Sequence, residues 1–167
     1  KERTKKKNME EFEMTIPCLF GLESFVTREI KDLGLKHSKT EDGKVSFLGD
    51  YEDMIRANLW IRTGERVLIK LSEFTAYDFD TFYDYSKNAP WKNFLPFDAQ
   101  IKITGTCVKS KLSSSPRCRA ILKKAIADSL CQGTTLSHIP ETGNLYHIRF
   151  TLLKDKVSLY IDTSGES

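Results

Sequence analysis

The chain has 167 residues, enough for one medium domain or two small ones. With 40% hydrophobic and 29% charged residues it falls outside the disordered and membrane classes, and no run approaches the roughly 18 apolar residues of a spanning helix. The net charge of +3 is too small by itself to indicate a nucleic-acid partner, so the distribution of charge has to be examined.

Residues 1–10 form a basic tail, with Lys1, Arg3 and Lys5 to Lys7, running into the acidic Glu10, Glu11 and Glu13. No apolar core follows, which excludes a secretory signal and predicts a soluble, cytoplasmic protein. Phe12, Met14, Ile16 and Cys18 then alternate with polar neighbours, the period of a strand with one buried face. Leu22, Phe25, Val26, Ile30 and Leu33 repeat at helical spacing and stop at Gly34. A weak strand over 35–39, the turn Glu41-Asp42-Gly43 and a strand around Val45 and Phe47 predict a hairpin. Asp50 is the expected cap of a helix whose buried stripe is Tyr51, Met54, Ile55, Leu59 and Ile61. Val67, Ile69 and Leu71 alternate again, completing βαββαβ over residues 11–75, the ferredoxin-like order.

After Phe74 the texture changes. Tyr77, Phe79, Phe82, Tyr83 and Tyr85 predict a short amphipathic helix with its rings in the core, followed by a one-turn helix anchored by Trp91. A strand over 99–108 with Ile101 and Ile103 inward precedes the strongest helix of the chain. That helix is expected to open at Ser115 as N-cap and Pro116 as first residue, and to run from there to Cys131 and Gly133. Tyr146, Ile148, Phe150 and Leu152, the turn Lys154-Asp155-Lys156, and Val157, Leu159 and Ile161 predict a closing hairpin. The expected fold class is α+β, with two domains, 11–75 and 76–167, each having its own core.

Charge concentrates in the second half. Residues 1–75 hold 14 Lys/Arg against 14 Asp/Glu, whereas 99–131 holds seven cations against Asp128 alone. On a helical wheel Cys118, Ile121, Leu122, Ala125 and Ile126 share one side, and Arg117, Arg119, Lys123 and Lys124 spread over an arc of roughly 160° opposite. Just upstream, Lys109, Ser110, Lys111 and Ser113 lead into the helix N-terminus, where free N–H groups and the dipole favour an anion such as phosphate. Competing against this reading is a merely solvated helix face.

Other chemistries fail. The four cysteines, at 18, 107, 118 and 131, include no C-x-x-C pair, and His37, His138 and His147 have no ligand partners at metal spacing, so no metal site is expected. Cys118 lies beside two arginines near a helix start but on the apolar side, which argues for packing over nucleophilic chemistry. Small ferredoxin-like phosphatases hold phosphate with an arginine in the first strand-to-helix loop, and here that loop, Pro17 to Leu22, contains no cation. Glycine-rich nucleotide loops, a Ser/His/Asp set and an Asn-Pro-Pro-Tyr-like methyltransferase motif are all missing, so no catalytic residue is assigned.

Several ordered segments carry a resemblance: Cys18-Leu-Phe-Gly-Leu-Glu23, Arg56-Ala-Asn-Leu-Trp-Ile-Arg62 with Glu65-Arg-Val67, Pro90-Trp91 with Leu95-Pro96, Val108-Lys-Ser-Lys-Leu112, and Lys123-Lys-Ala-Ile126. From about residue 11 onward the chain resembles the N-terminal half of bacterial THUMP-containing RNA methyltransferases. It is most similar to the group that methylates guanine N2 in 23S ribosomal RNA, often labelled N6-adenine DNA methylases in genomes. The closing Leu159-Tyr-Ile-Asp-Thr-Ser-Gly165 resembles the junction before that family's catalytic domain. The resemblance implies a ferredoxin-like domain followed by a THUMP domain that holds structured RNA. By position it implies that Lys109 to Lys111 and the helix from Arg117 to Lys124 face the RNA. It further implies that S-adenosylmethionine binds in a catalytic domain absent from this chain, which itself would hold no cofactor. A THUMP module of a tRNA-modifying enzyme, or a protein-interaction module with a basic face, are the alternatives.

Overall fold

The computed structural model describes residues 10–135 and 137–164; the basic tail through Lys7 and Gly165 lie outside them. In chain order the elements are β1 (Phe12–Pro17), α1 (Glu23–Asp32), β2 (Lys36–Glu41), β3 (Lys44–Gly49), α2 (Tyr51–Trp60), β4 (Leu68–Thr75), α3 (Phe79–Lys87), a 3-10 turn (Trp91–Asn93), β5 (Gln100–Val108), α4 (Ser115–Cys131), β6 (Leu145–Leu153) and β7 (Lys156–Asp162). The α+β class expected from the sequence is the class observed. Two compact units result: residues up to Ile69 joined by those from Thr163, and Lys70–Asp162. The sequence reading places the boundary after Thr75, whereas the compact units divide inside β4.

In the first unit the strand order is β2-β3-β1-β4, with β1 antiparallel to both β3 and β4. Met14, Ile16, Val26, Ile30, Val45 and Phe47 are fully enclosed as its core. On the other face Thr15 and Ser46 are also buried, and their hydroxyls hydrogen-bond each other at 3.0 Å. Helix α1 ends in a Schellman motif: Leu35 N–H donates to Ile30 O and Gly34 N–H to Lys31 O, with Gly34 at φ +71°. A side chain in that left-handed conformation would be strained, which is why the helical pattern stops at a glycine.

Asp50 caps α2 as expected. Its Oδ1 accepts from Glu52 and Asp53 N–H at 2.9 and 3.0 Å, and Asp53 reciprocates, closing a capping box. The expected apolar stripe is corrected, however. Ala57 is the residue of α2 that is buried, while Tyr51, Ile55, Leu59 and Trp60 are exposed, Leu59 at 71%. A Cβ on Gly49 would stand 2.6 Å from that of Asp53, so the glycine lets the cap approach closely. The alternation expected at Val67, Ile69 and Leu71 is corrected too, since Val67, Leu68 and Ile69 are buried consecutively.

The second unit runs β4-β7-β6-β5. Strands β5 and β6 are parallel from Gln100↔Leu145 to Val108↔Leu153, and α4 is the crossover that parallel pairing requires. β6 and β7 form the expected hairpin. The core gathers Phe82, Trp91, Cys118, Leu122, Ile126, Ile148, Phe150 and Leu159. Trp91 is enclosed, and its Nε1–H donates to Ser86 O at 2.7 Å, which anchors the 3-10 turn. The cap of α4 is Ser114, one residue earlier than the sequence suggests: its side chain accepts from Arg117 N–H, and Pro116 is the second helical residue. Proline lacks an N–H to cap, so the hydroxyl reaches the next donor.

Candidate nucleic-acid interface

The segment between β5 and α4 is tied to the β6–β7 turn through backbone and short side chains. Ser110 Oγ donates to Val108 O and accepts from Asp155 N–H, both at 2.9 Å. Lys111 N–H donates to Asp155 Oδ1 at 2.7 Å, and Lys154 N–H donates to Val108 O at 3.1 Å. Leu112 is buried and pins the segment from below. The Lys109 and Lys111 side chains are thereby anchored at their backbones on an exposed loop. Ser110 is a strut of that loop, and Ser113 is exposed before the helix cap.

Helix α3 packs against α4, and its rings meet the cations. The Arg117 guanidinium carbon lies 4.0 Å from the Phe79 ring centroid, and Lys111 Nζ lies 4.9 Å from that of Tyr77. Lys124 Nζ and Lys87 Nζ are each 5.8 Å from the Tyr83 centroid, at the outer reach of a cation–π contact. Tyr83 O–H donates to Asp128 Oδ2 at 2.5 Å, and that hydrogen bond, with burial, pushes the phenol up to about 12. Lys123 Nζ instead pairs with Glu141 Oε1 at 2.9 Å. Arg119 is exposed on the same helix.

Of the sequence-predicted residues, Lys111, Arg117 and Lys124 therefore each meet a ring of the Tyr77–Tyr83 segment, while Lys123 is engaged by a carboxylate. The expectation that the rings of this segment belong to the core is corrected: Phe82 is enclosed, but Tyr77 and Tyr85 are 57% and 55% exposed. The sequence reading also passed over Lys87. Five rings within nine residues are more than one helix face can bury, and that crowding was the available signal. Cys118 is buried as expected, and burial followed by the neighbouring Cys107 thiol, 3.9 Å away, pushes its own thiol up to about 12. Such a thiol is a packing group, not a nucleophile.

Among the described residues no three His, Cys, Asp or Glu side chains are grouped to hold a metal ion, and no helix is long and apolar enough to cross a membrane.

Two α+β units, the second carrying a cation-and-ring face on paired helices, define the class of protein. The sequence model of the RlmL ferredoxin-like domain matches residues 13–68, and that of the THUMP domain matches residues 76–162. The chain belongs to the THUMP-domain family, in the branch with an RlmL-type ferredoxin-like domain. The Bacillus subtilis (strain 168) protein named "Putative RNA methyltransferase YpsC" is 36% identical over 159 residues, covering 94% of this chain and 41% of that protein. "Ribosomal RNA large subunit methyltransferase K/L" of Psychromonas ingrahamii is 31% identical over 156 residues, covering 90% of this chain and 20% of its own length. The crystal structure of "a predicted N6-adenine-specific DNA methylase" from Listeria monocytogenes superposes with a TM-score of 0.89 at 41% identity, covering 93% of this chain and 41% of that one. The chain thus spans about two-fifths or less of the curated relatives it matches.

One cavity lies in the first unit. It holds about 50 Å³ between Ile16, Ala57, Asn58, Gly64, Arg66 and Ser164. Ligand pockets of that class need about 300–1,000 Å³. This cavity is too small for S-adenosylmethionine.

Proposed function

We propose that this chain is the RNA-holding part of a ribosomal RNA methyltransferase, that its substrate is 23S RNA modified at guanine N2, and that methyl transfer and S-adenosylmethionine binding belong to a portion of the enzyme this chain does not span. The observation that carries the reading is the exposed cationic face of the second unit, formed by Lys109, Lys111, Arg117, Arg119 and Lys124, of which Lys111, Arg117 and Lys124 lie over the rings of Tyr77, Phe79 and Tyr83. The second unit, Lys70–Asp162, holds 13 Lys/Arg against 9 Asp/Glu, whereas the rest of the chain holds 13 against 14, so a polyanion is attracted chiefly by the second unit. The names of the relatives support an RNA substrate, and the K/L name supports the large ribosomal subunit.

Lysine and arginine on a helix face neutralise phosphates without reading bases, so binding falls linearly with the logarithm of salt. A structured 23S RNA fragment is expected to bind more tightly than DNA of the same sequence, because 2′-hydroxyls and groove shape are available only in RNA. The test is a salt series with wild type and with Lys109→Ala, Lys111→Ala, Arg117→Ala and Lys124→Ala. Each lost contact flattens the slope by about one unit. Unchanged affinity and slope in the combined variant, with its circular dichroism intact, would refute the proposal. Calorimetric titration with S-adenosylmethionine is expected to give no heat of binding, and stoichiometric binding would refute that part.

A further inference from the structure

We infer that Tyr77, Phe79 and Tyr83 are positioning residues of this face: their rings hold Lys111, Arg117 and Lys124 ready for phosphate without cancelling their charge. The inference rests on the RNA-holding reading above and assigns to α3 a role that the charge pattern alone does not reveal.

A free lysine or arginine gives up close to its full rotamer freedom when it clamps a phosphate. A carboxylate partner would order it beforehand, but would also compensate the charge that the phosphate needs. An aromatic ring orders a cation through its quadrupole and carries no net charge. Both solutions occur side by side here. Lys123 is paired with Glu141, whereas among the described residues Lys111, Arg117 and Lys124 make no ion pair and lie over rings instead. The three rings come from one helix and its leading turn, so a single element sets the spacing of all three cations. Arg117 lies 4.0 Å from its ring and, among the described residues, pairs with no carboxylate, so its guanidinium N–H donors are available for bidentate contact with a phosphate.

The geometry separates the cations of α4 into two kinds. Removing a ring-held cation removes a phosphate contact. Removing Lys123 removes a side chain already compensated, and frees Glu141.

The test measures binding of a structured RNA hairpin with a single-stranded overhang to the full chain, by fluorescence anisotropy across a salt series. Tyr77→Leu and Phe79→Leu are expected to weaken binding about three- to tenfold, by about one immobilised side chain each, with the salt slope unchanged. Tyr77→Phe and Phe79→Tyr, which keep a ring, are expected to restore wild-type affinity. Lys111→Ala and Arg117→Ala flatten the slope by about one unit each, and Lys123→Ala leaves it unchanged. Side-chain NMR of Arg117 supplies a readout that a purely structural role would not move: the order parameter of its Nε–H falls in Phe79→Leu and stays at the wild-type value in Phe79→Tyr. Tyr77 is exposed, so its variant folds even if Phe79→Leu does not. Leucine variants that bind as wild type, while the cation variants lose affinity and slope, would overturn the inference and leave RNA binding standing. Cation variants that also bind as wild type would overturn the RNA-holding reading itself.

Discussion

Asp155 offers a test in which electrostatics and loop order pull in opposite directions. It joins three stretches of backbone: Oδ1 accepts from Lys111 N–H at 2.7 Å, its N–H donates to Ser110 Oγ at 2.9 Å, and its carbonyl accepts from Ala76 N–H at 3.0 Å. Asp155→Ala keeps the two backbone bonds and loses the carboxylate. A hydrogen bond to a charged group is worth about 1.5–3 kcal/mol, and at an exposed loop the lower end applies. Asp155 also sits at φ +64°, where alanine costs roughly 1 kcal/mol more than asparagine or aspartate. Together these predict about 2.5 kcal/mol of lost stability. For RNA the charge effect is favourable: deleting an anion about 7 Å from a phosphate in water gives about 0.6 kcal/mol, reduced further by a Debye length of about 8 Å. Re-ordering even one freed loop residue costs about 1–2 kcal/mol. Asp155→Ala is therefore expected to bind RNA about fivefold more weakly despite carrying one negative charge fewer, whereas Asp155→Asn, which keeps the acceptor, binds up to about twofold more tightly. Thermal melts and anisotropy on the three proteins decide it. An alanine variant that binds as tightly as the asparagine variant would show that the clamp does not order the loop.

Glu73 is expected to govern the acid limb of the second unit. Burial pushes its carboxyl up, but Lys156 at 2.6 Å and Lys70 at 3.0 Å outweigh that and hold it at about 2. A folded-state value below the ordinary 4.5 means its contribution is present above pH 4.5 and lost as pH falls toward 2. The stability gap between wild type and Glu73→Gln should shrink over that window in denaturant titrations, and parallel curves would refute it. Gly105→Ala is expected to destabilise by about 1–3 kcal/mol, because its Cβ would lie 2.3 Å from the Phe150 ring on the paired strand; an unchanged melting temperature would refute it. Ser86 Oγ is buried with no hydrogen-bond partner, so Ser86→Ala should be neutral or stabilising by up to about 1 kcal/mol, and a clear loss in urea unfolding would count against it.

Element order was legible because each element carries its own local period and stop signal. The alternation at Met14 and Ile16, the Asp50 cap, the Gly34 stop and the Pro116 start sit where the chain uses them, to within a residue. What failed was orientation. The apolar stripe of α2 was assigned to the core on spacing, yet Gly49 and Asp53 fix the helix by a close approach that no hydrophobic pattern records. The same holds for the rings at Tyr77 and Phe79, whose period suits a core face equally well. Their role depends on cations that arrive from the loop before α4 and from α4 itself, more than thirty residues later in the chain.

The loop that presents Lys109 and Lys111 was the least legible part, for a related reason. Lys109, Lys154 and Asp155 adopt φ of +48°, +51° and +64°, a conformation that sequence signals associate with glycine or asparagine. Each non-glycine residue held there costs on the order of 1 kcal/mol or more, and persists because its surroundings fix it. Here the fixing groups are Ser110, whose Oγ accepts from Asp155 N–H, and Asp155, whose Oδ1 accepts from Lys111 N–H, at a meeting point of β5 with the β6–β7 turn. A glycine at 109 or 154 would relax the strain but widen the conformations open to the loop. A lysine at each position keeps the charge and, once clamped, a single backbone course. The strain thus lies at the place where the backbone aims two cations outward, and it is released only if the Asp155 clamp opens.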